Sequence, residues 1–304
     1  MIKSHGHPMA PPFVNPDNNC RLQLLPEMGV ELTRLYNQKS FLFPHGLSSH
    51  PLLTLPSLVA LAGRLEGADS SYWSSGPVGI EDGWAGGRQP GNALADAVAN
   101  IACNDSLIML KGVANDSIIG PLLKTVLARI IEVVGPKLGR DLTDARATIL
   151  IASPGRVTAY HADSDVNFLM QVAGDKQLSV FDPADRTLVT EHEIERFLSG
   201  EEGAIRFKPE RQQAAIAYNL CAGAGVHVPC LAPHWAQNGN AVSIAVSFNF
   251  DLHSVKQRAV VSRVNQRLRR FGLRPASPGD HEWMDQIKYH GARAISALPS
   301  LRRA

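Results

Sequence analysis

The spacing of apolar positions changes period near residue 147, from helical before it to strand-like after it. Leu53, Leu55, Leu58, Leu61, Ala62 and Leu65 fall on one face of a short amphipathic helix expected over 52–66, with Ser57 as its N-cap. Further helices are expected over 92–102 and 117–134, the latter with Ile118, Leu122, Leu123, Val126, Ile130 and Val133 on one stripe. Residues 74–91 carry Gly76, Pro77, Gly79, Gly83, Gly86, Gly87, Pro90 and Gly91, too many breakers for a regular element.

Past residue 147 the alternation predicts strands over 147–152, 157–160, 168–172, 177–182, 215–220, 225–228 and 241–249, separated by Gly, Pro and Asp turns. Between two of them, 190–198 reads as a small helix with Thr190 and Glu193 in capping-box spacing. Seven short strands in about a hundred residues point to a double-sheet jelly roll or barrel. The expected class is mainly β with flanking helices: an irregular arm over 1–25, a helical and mixed α/β extension over 26–145, a barrel over 146–251 and a helical region over 252–304.

Composition narrows the class without naming a partner. In 304 residues, 44% apolar and 19% charged with a net charge of +2 describe an ordinary globular chain, long enough for a sizeable core. Cys20, Cys103, Cys221 and Cys230 have no paired spacing, so neither a zinc knot nor a redox motif is expected. The first residues lack the apolar run of a secretory signal, and no stretch approaches the roughly 20 apolar residues of a membrane span; a cytoplasmic protein is expected.

The chemistry-bearing pattern lies in the barrel. Strand residues alternate in direction, so the His161-Ala162-Asp163 spacing on an extended segment puts an imidazole and a carboxylate on one face. His234, on a turn expected just before the 241–249 strand, is the candidate third ligand. Two imidazoles and one carboxylate hold a first-row divalent metal and leave half an octahedron open, which suits Fe(II) and a chelating cosubstrate. The alternative reading makes His161 and Asp163 a hydrogen-bonded loop pair and His234 a packed histidine. His227, between Val226 and Val228, is a second candidate to face the pocket, either behind the metal or on the substrate side, against simple packing.

With these residues in register, the stretch 145–250 resembles the jumonji-C or cupin-like 2-oxoglutarate oxygenases, in particular the subgroup of the asparaginyl hydroxylase that inhibits hypoxia-inducible factor. The resemblance implies that Thr158, Asn167 and Lys176 bind the cosubstrate, with Lys176 pairing its distal carboxylate. Asn249, in Ser247-Phe248-Asn249-Phe250, matches the terminal signature. In such proteins the third ligand follows the proline of the strand end by five residues, and Pro229 plus five is His234. A buried dicarboxylate needs a fixed cation at its far end. Lys176 is expected to reach Thr158 through a hairpin turning at 173–175. The implied cofactors are Fe(II), 2-oxoglutarate and O2, and the implied reaction hydroxylates a C–H bond with release of succinate and carbon dioxide.

Fold alone does not select between an amino-acid side chain of a polypeptide and a small molecule as substrate. The loop 74–91, with Trp73, Trp84 and Arg88, is a candidate lid over the barrel mouth. The helix expected over 252–271 carries Lys256, Arg258, Arg263, Arg267, Arg269 and Arg270 and no acid. Its apolar Val255, Val260, Val264 and Leu268 fit the homodimer that helices after the barrel build in similar proteins better than they fit a nucleic-acid partner. Two other readings stay open: a cupin-type metalloenzyme that does not use 2-oxoglutarate, and a non-catalytic binding or regulatory barrel.

Overall fold

A computed structural model describes residues 29–65, 72–82 and 94–297. Before the barrel come α1 (Gly29–Leu35), β1 (Phe41–Pro44), α2 (Leu55–Arg64), β2 (Tyr72–Ser75), α3 (Leu94–Ala99), β3 (Ser106–Leu110), α4 (Gly120–Val134) and the single turn α5 (Pro136–Gly139). The barrel strands are β4 (Leu142–Ala152), β5 (Val157–His161), β6 (Val166–Ala173), β7 (Lys176–Val180), β8 (Ile216–Leu220), β9 (Ala224–Val228), β10 (His234–Asn238) and β11 (Ser243–Leu252). Helix α6 (Glu191–Leu198) interrupts them, and α7 (His253–Arg270) and α8 (Glu282–Ala297) follow. The capping box on α6 forms as expected, Thr190 Oγ1 accepting from Glu193 N and the Glu193 carboxylate accepting from Thr190 N. Ser57 does not cap α2: Thr54 holds the N-cap position, and Ser57 Oγ donates to the Pro51 carbonyl instead.

Among the described residues the strands form two antiparallel sheets, in the orders β1-β9-β6-β11-β4-β3-β2 and β5-β10-β7-β8. Apart from β7 and β8, which pair within the small sheet, successive strands from β4 to β11 alternate between the sheets, giving a cupin-like jelly roll. The chain passes from β6 in the large sheet to β7 in the small one, so the expected hairpin at 173–175 is a sheet-to-sheet crossing. Gly174 makes that turn at φ +68°, where an added Cβ would sit 2.4 Å from the Val242 carbonyl oxygen. The large sheet also recruits β1, β2 and β3 from the region before the barrel.

The two faces of the large sheet bury different cores. One, with Phe168, Met170, Ile149, Ile151, Phe248 and Phe250, packs under the helices. The other meets the small sheet through Leu169, Leu178, Val226, Val228, Ala236 and Ala245. That inner core fills only part of the barrel.

Helices α6 and α7 are locked by a buried polar strut: Glu195, 1% exposed, accepts from Asn265 Nδ2 at 2.9 Å and Arg269 Nη2 at 2.8 Å. Hence the buried face of α7 is Val261, Ser262 and Asn265, and the expected seam of Val255, Val260, Val264 and Leu268 is only half-buried. No helix of the described residues is long and apolar enough to cross a membrane.

Candidate metal and cosubstrate site

His161 closes β5 and His234 opens β10, and the two are direct cross-strand partners. This corrects the expected turn position of His234. Asp163 follows β5, where its carbonyl accepts from Leu231 N at 2.8 Å and fixes the approach to β10; Leu231 takes a left-handed φ of 62° there. Asp163 Oδ2 lies 3.8 Å from His161 Nε2 and 3.7 Å from His234 Nε2. The rings of the two histidines are 4.2 Å apart, and one ligand atom from each of the three residues falls within 4.8 Å of the others.

The tautomers follow from the second ring nitrogens. His161 Nδ1 is 2.8 Å from the Ala159 carbonyl and His234 Nδ1 is 2.9 Å from that of Ala232. A carbonyl only accepts, so both Nδ1 atoms carry protons and both Nε2 lone pairs face Asp163. Burial, reinforced by His161, holds the His234 imidazole below its ordinary pKa and therefore neutral. Three donor groups of this kind, converging within 4.8 Å, could hold a divalent metal ion.

A cavity of about 750 Å³ opens beside the triad and runs between the sheets. Thr158, Asn167, Lys176 and Asn249 all line it. On the small sheet, Thr158 pairs with Ala236 and Lys176 with Asn238, while His234, Ala236 and Asn238 alternate inward along β10. Thr158 lies three positions before His161, an odd offset that simple alternation would place on opposite faces. The ladder shifts register between His234 and Ala236, and this irregularity brings both inward.

Lys176 is 8% exposed, and its Nζ has no ion pair or hydrogen bond among the described residues. Desolvation alone pushes its ammonium down to about 8. A buried cation facing a cavity is suited to pair with an anionic group. Opposite it, on the large sheet, Asn167 and Asn249 are cross-strand partners with Ser247 Oγ between their Oδ1 atoms, at 3.0 and 2.8 Å. Asn249 Nδ2 donates to Asp165, whose second oxygen accepts from Arg146 at 2.7 Å. Burial and then Asp163 push the Asp165 carboxyl above its usual range.

His227 faces the other way. Val226 and Val228 fill the barrel interior, while His227 packs on the helix-covered face with its ring 4.6 Å from Phe168 and 4.8 Å from Phe41. Its Nε2 accepts from Asn37 N at 3.0 Å, which ties the chain after α1 to β9. Burial pushes it down to about 3, so it is neutral. Asn238 and Ser247 also line the cavity and were not foreseen. The alternation of His234, Ala236 and Asn238 was the available signal, hidden by prolines and glycine on both sides. Of the expected lid, Ile80 accepts a hydrogen bond from Tyr160 N at 2.8 Å, against β5; Trp84 and Arg88 lie outside the described residues, as does Cys20.

No family profile and no curated protein matches this sequence. Solved structures do. The ribosomal oxygenase YcfD of Escherichia coli superposes with a TM-score of 0.52 at 15% identity, over 92% of this chain and 68% of that one. Its complex with cobalt and 2-oxoglutarate gives 0.53 at 15% identity over 92% and 69%, and its complex with cobalt and succinic acid 0.51 at 16% over 92% and 68%. The fold is that of YcfD. At such identity the likeness speaks for the fold alone, and the chemistry rests on the residues of this barrel.

Proposed function

We propose that this protein is an Fe(II)- and 2-oxoglutarate-dependent oxygenase that hydroxylates a C–H bond of a polypeptide side chain or a small molecule. The observation that carries the reading is the pairing, in one cavity, of a converging His161, Asp163 and His234 set with the unpartnered buried ammonium of Lys176. A metal site alone fits any cupin. A metal site facing a buried cation across a closed barrel fits a metal chelator that carries a second carboxylate.

In this reading His161, Asp163 and His234, which all line the cavity, would hold the iron. Lys176 Nζ pairs the distal carboxylate of 2-oxoglutarate, with the Thr158 hydroxyl as a donor beside it. Asn167 and Asn249, oriented by Ser247, line the opposite wall. When bound, iron supplies the redox chemistry by which 2-oxoglutarate and O2 become succinate, carbon dioxide and a hydroxylated product. The barrel contributes position and exclusion of water, through the apolar walls of Leu169, Leu178 and Ala236. The YcfD complexes with cobalt and either 2-oxoglutarate or succinic acid, on the same fold, support this assignment.

Anaerobic addition of Fe(II) and 2-oxoglutarate to the purified protein should produce a visible metal-to-ligand charge-transfer band, absent in His234→Ala and weakened in Lys176→Ala. A metal-loaded wild type with no band would return the protein to a cupin that does not use 2-oxoglutarate.

A further inference from the structure

The corner between β9 and β10, residues 229–233, holds two of the three triad residues by its backbone. Leu231 N donates to the Asp163 carbonyl at 2.8 Å, and the Ala232 carbonyl lies 2.9 Å from His234 Nδ1. Pro229 and Pro233 have no N–H, so the corner has three donors to place. Leu231 N takes Asp163, and Ala232 N turns back to the Pro229 carbonyl at 3.1 Å. The third, Cys230 N, donates at 2.9 Å to Asn37 Oδ1, 193 residues away in sequence and ahead of the whole barrel.

Asn37 reaches that position by giving up an ordinary helix cap. It stands two residues past α1 with a left-handed φ of 54°, where a cap residue commonly returns its N–H to a carbonyl of its own helix. Here Gln38 N and Lys39 N close the turn on the Leu35 carbonyl, at 2.9 and 3.1 Å, and Asn37 N goes instead to His227 Nε2 at 3.0 Å. Asn37 thus bridges the end of β9 to the corner: its N–H anchors it on His227, and its side-chain carbonyl holds Cys230. The outer side of the corner borders a cleft of about 570 Å³, so packing alone does not fix it.

The neighbouring Leu231 shows why a restraint is needed there. Its φ of 62° is left-handed, a region in which a leucine Cβ crowds the following carbonyl oxygen. Such a backbone persists only where its surroundings over-determine it. Released from Cys230, the corner can relax, and the Leu231 N–H that fixes Asp163 moves with it.

We propose that Asn37 is a positioning residue for the metal site, acting through the 229–233 corner: its Oδ1 holds the Cys230 N–H and so keeps Leu231 on the Asp163 carbonyl. The role rests on the metal reading of the triad above. Through it, a segment outside the barrel sets the affinity of a centre inside it.

Two substitutions separate the acceptor from the turn. Asn37→Gly keeps the left-handed conformation without steric cost and removes only the acceptor; Asn37→Asp keeps both. Titration of the full chain with Co(II), followed by visible absorption, should show about tenfold weaker binding in Asn37→Gly, the low end for residues that orient metal ligands, because Asn37 acts one contact further out. Asn37→Asp should bind as wild type does. So should Glu195→Ala, destabilised at the distant α6–α7 strut, which controls for a loss that is merely structural. Coupling is reciprocal, so Zn(II) should slow hydrogen exchange over residues 36–39 of wild type by up to about tenfold, a readout that needs no variant to fold. Unchanged Co(II) affinity in Asn37→Gly, an equal loss in Asn37→Asp or Glu195→Ala, or exchange over 36–39 indifferent to Zn(II) would each overturn the proposal. A wild type that binds no Co(II) would overturn the metal reading, and this role with it.

Discussion

Lys176→Met sets stability against function in one substitution. The ordinary lysine pKa of 10.5 falls to about 8 on burial. At 1.36 kcal/mol per tenfold change in proton affinity, that is a cost of about 3 kcal/mol for keeping the charge in the folded protein at neutral pH. Because the ammonium borders an open cavity, water recovers part of this, and roughly 1–3 kcal/mol is the working range. Methionine preserves the length and apolar stem without the charge. The protein without cosubstrate should therefore become more stable, with its melting temperature raised by roughly 2–5 °C.

The sign with pH follows from linkage. Between about pH 8 and 10.5 the unfolded chain holds the lysine proton more firmly than the folded one. Wild-type stability therefore recovers across that window, and the gap to Lys176→Met closes. Cosubstrate binding moves the other way. Loss of the charge-assisted contact leaves a buried carboxylate unpaired, and 2-oxoglutarate affinity should fall at least about a hundredfold. Differential scanning fluorimetry with and without Co(II) and 2-oxoglutarate reads both effects. A Lys176→Met protein that melts lower than wild type and still gains stability from 2-oxoglutarate would refute the reasoning.

Other substitutions separate architecture from chemistry. His227→Leu should keep the charge-transfer band but lower unfolding free energy in urea by about 1–3 kcal/mol, since the Asn37 N–H loses its acceptor; loss of the band would show that His227 acts at the metal. Glu195→Ala should cost about 2 kcal/mol, below the usual figure for a broken buried pair because the Arg269 side chain is 31% exposed, and chemical denaturation would measure it. Gly225→Ala puts a Cβ 2.4 Å from the Phe43 ring, and overpacking at the β1–β9 contact should lower stability by about 1–3 kcal/mol in a thermal melt.

The barrel was legible where alternation was long enough to count, as along β4, β6 and β11. Strands β1, β2 and β3 were not, because four or five residues amid helical spacing and breakers carry too few periods, and their identity depends on partners elsewhere in the sheet. Strand β10 was hidden by Pro229, Pro233 and Gly239, which mark its ends and read as one long turn. The triad was visible from residue type and spacing. The direction of His227 was not: every residue of β9 is buried, so alternation supplied two faces without saying which one met the cavity. Lys176 came from resemblance, and its expected route through a hairpin was wrong because local sequence does not reveal that consecutive strands lie in different sheets.

Strand β1 closes one edge of the large sheet by pairing with β9, Phe41 against His227. The ribosome delivers one of these partners long before the other. At about 5–20 residues per second, the nascent chain carries β1 for roughly 10–40 s before β9 emerges. Throughout that interval Phe41 and Phe43 have no sheet to join, so the protein enters the cell with its first strand exposed to chaperones and to neighbouring chains. Biogenesis, more than the finished barrel, is the stage at which this architecture is vulnerable.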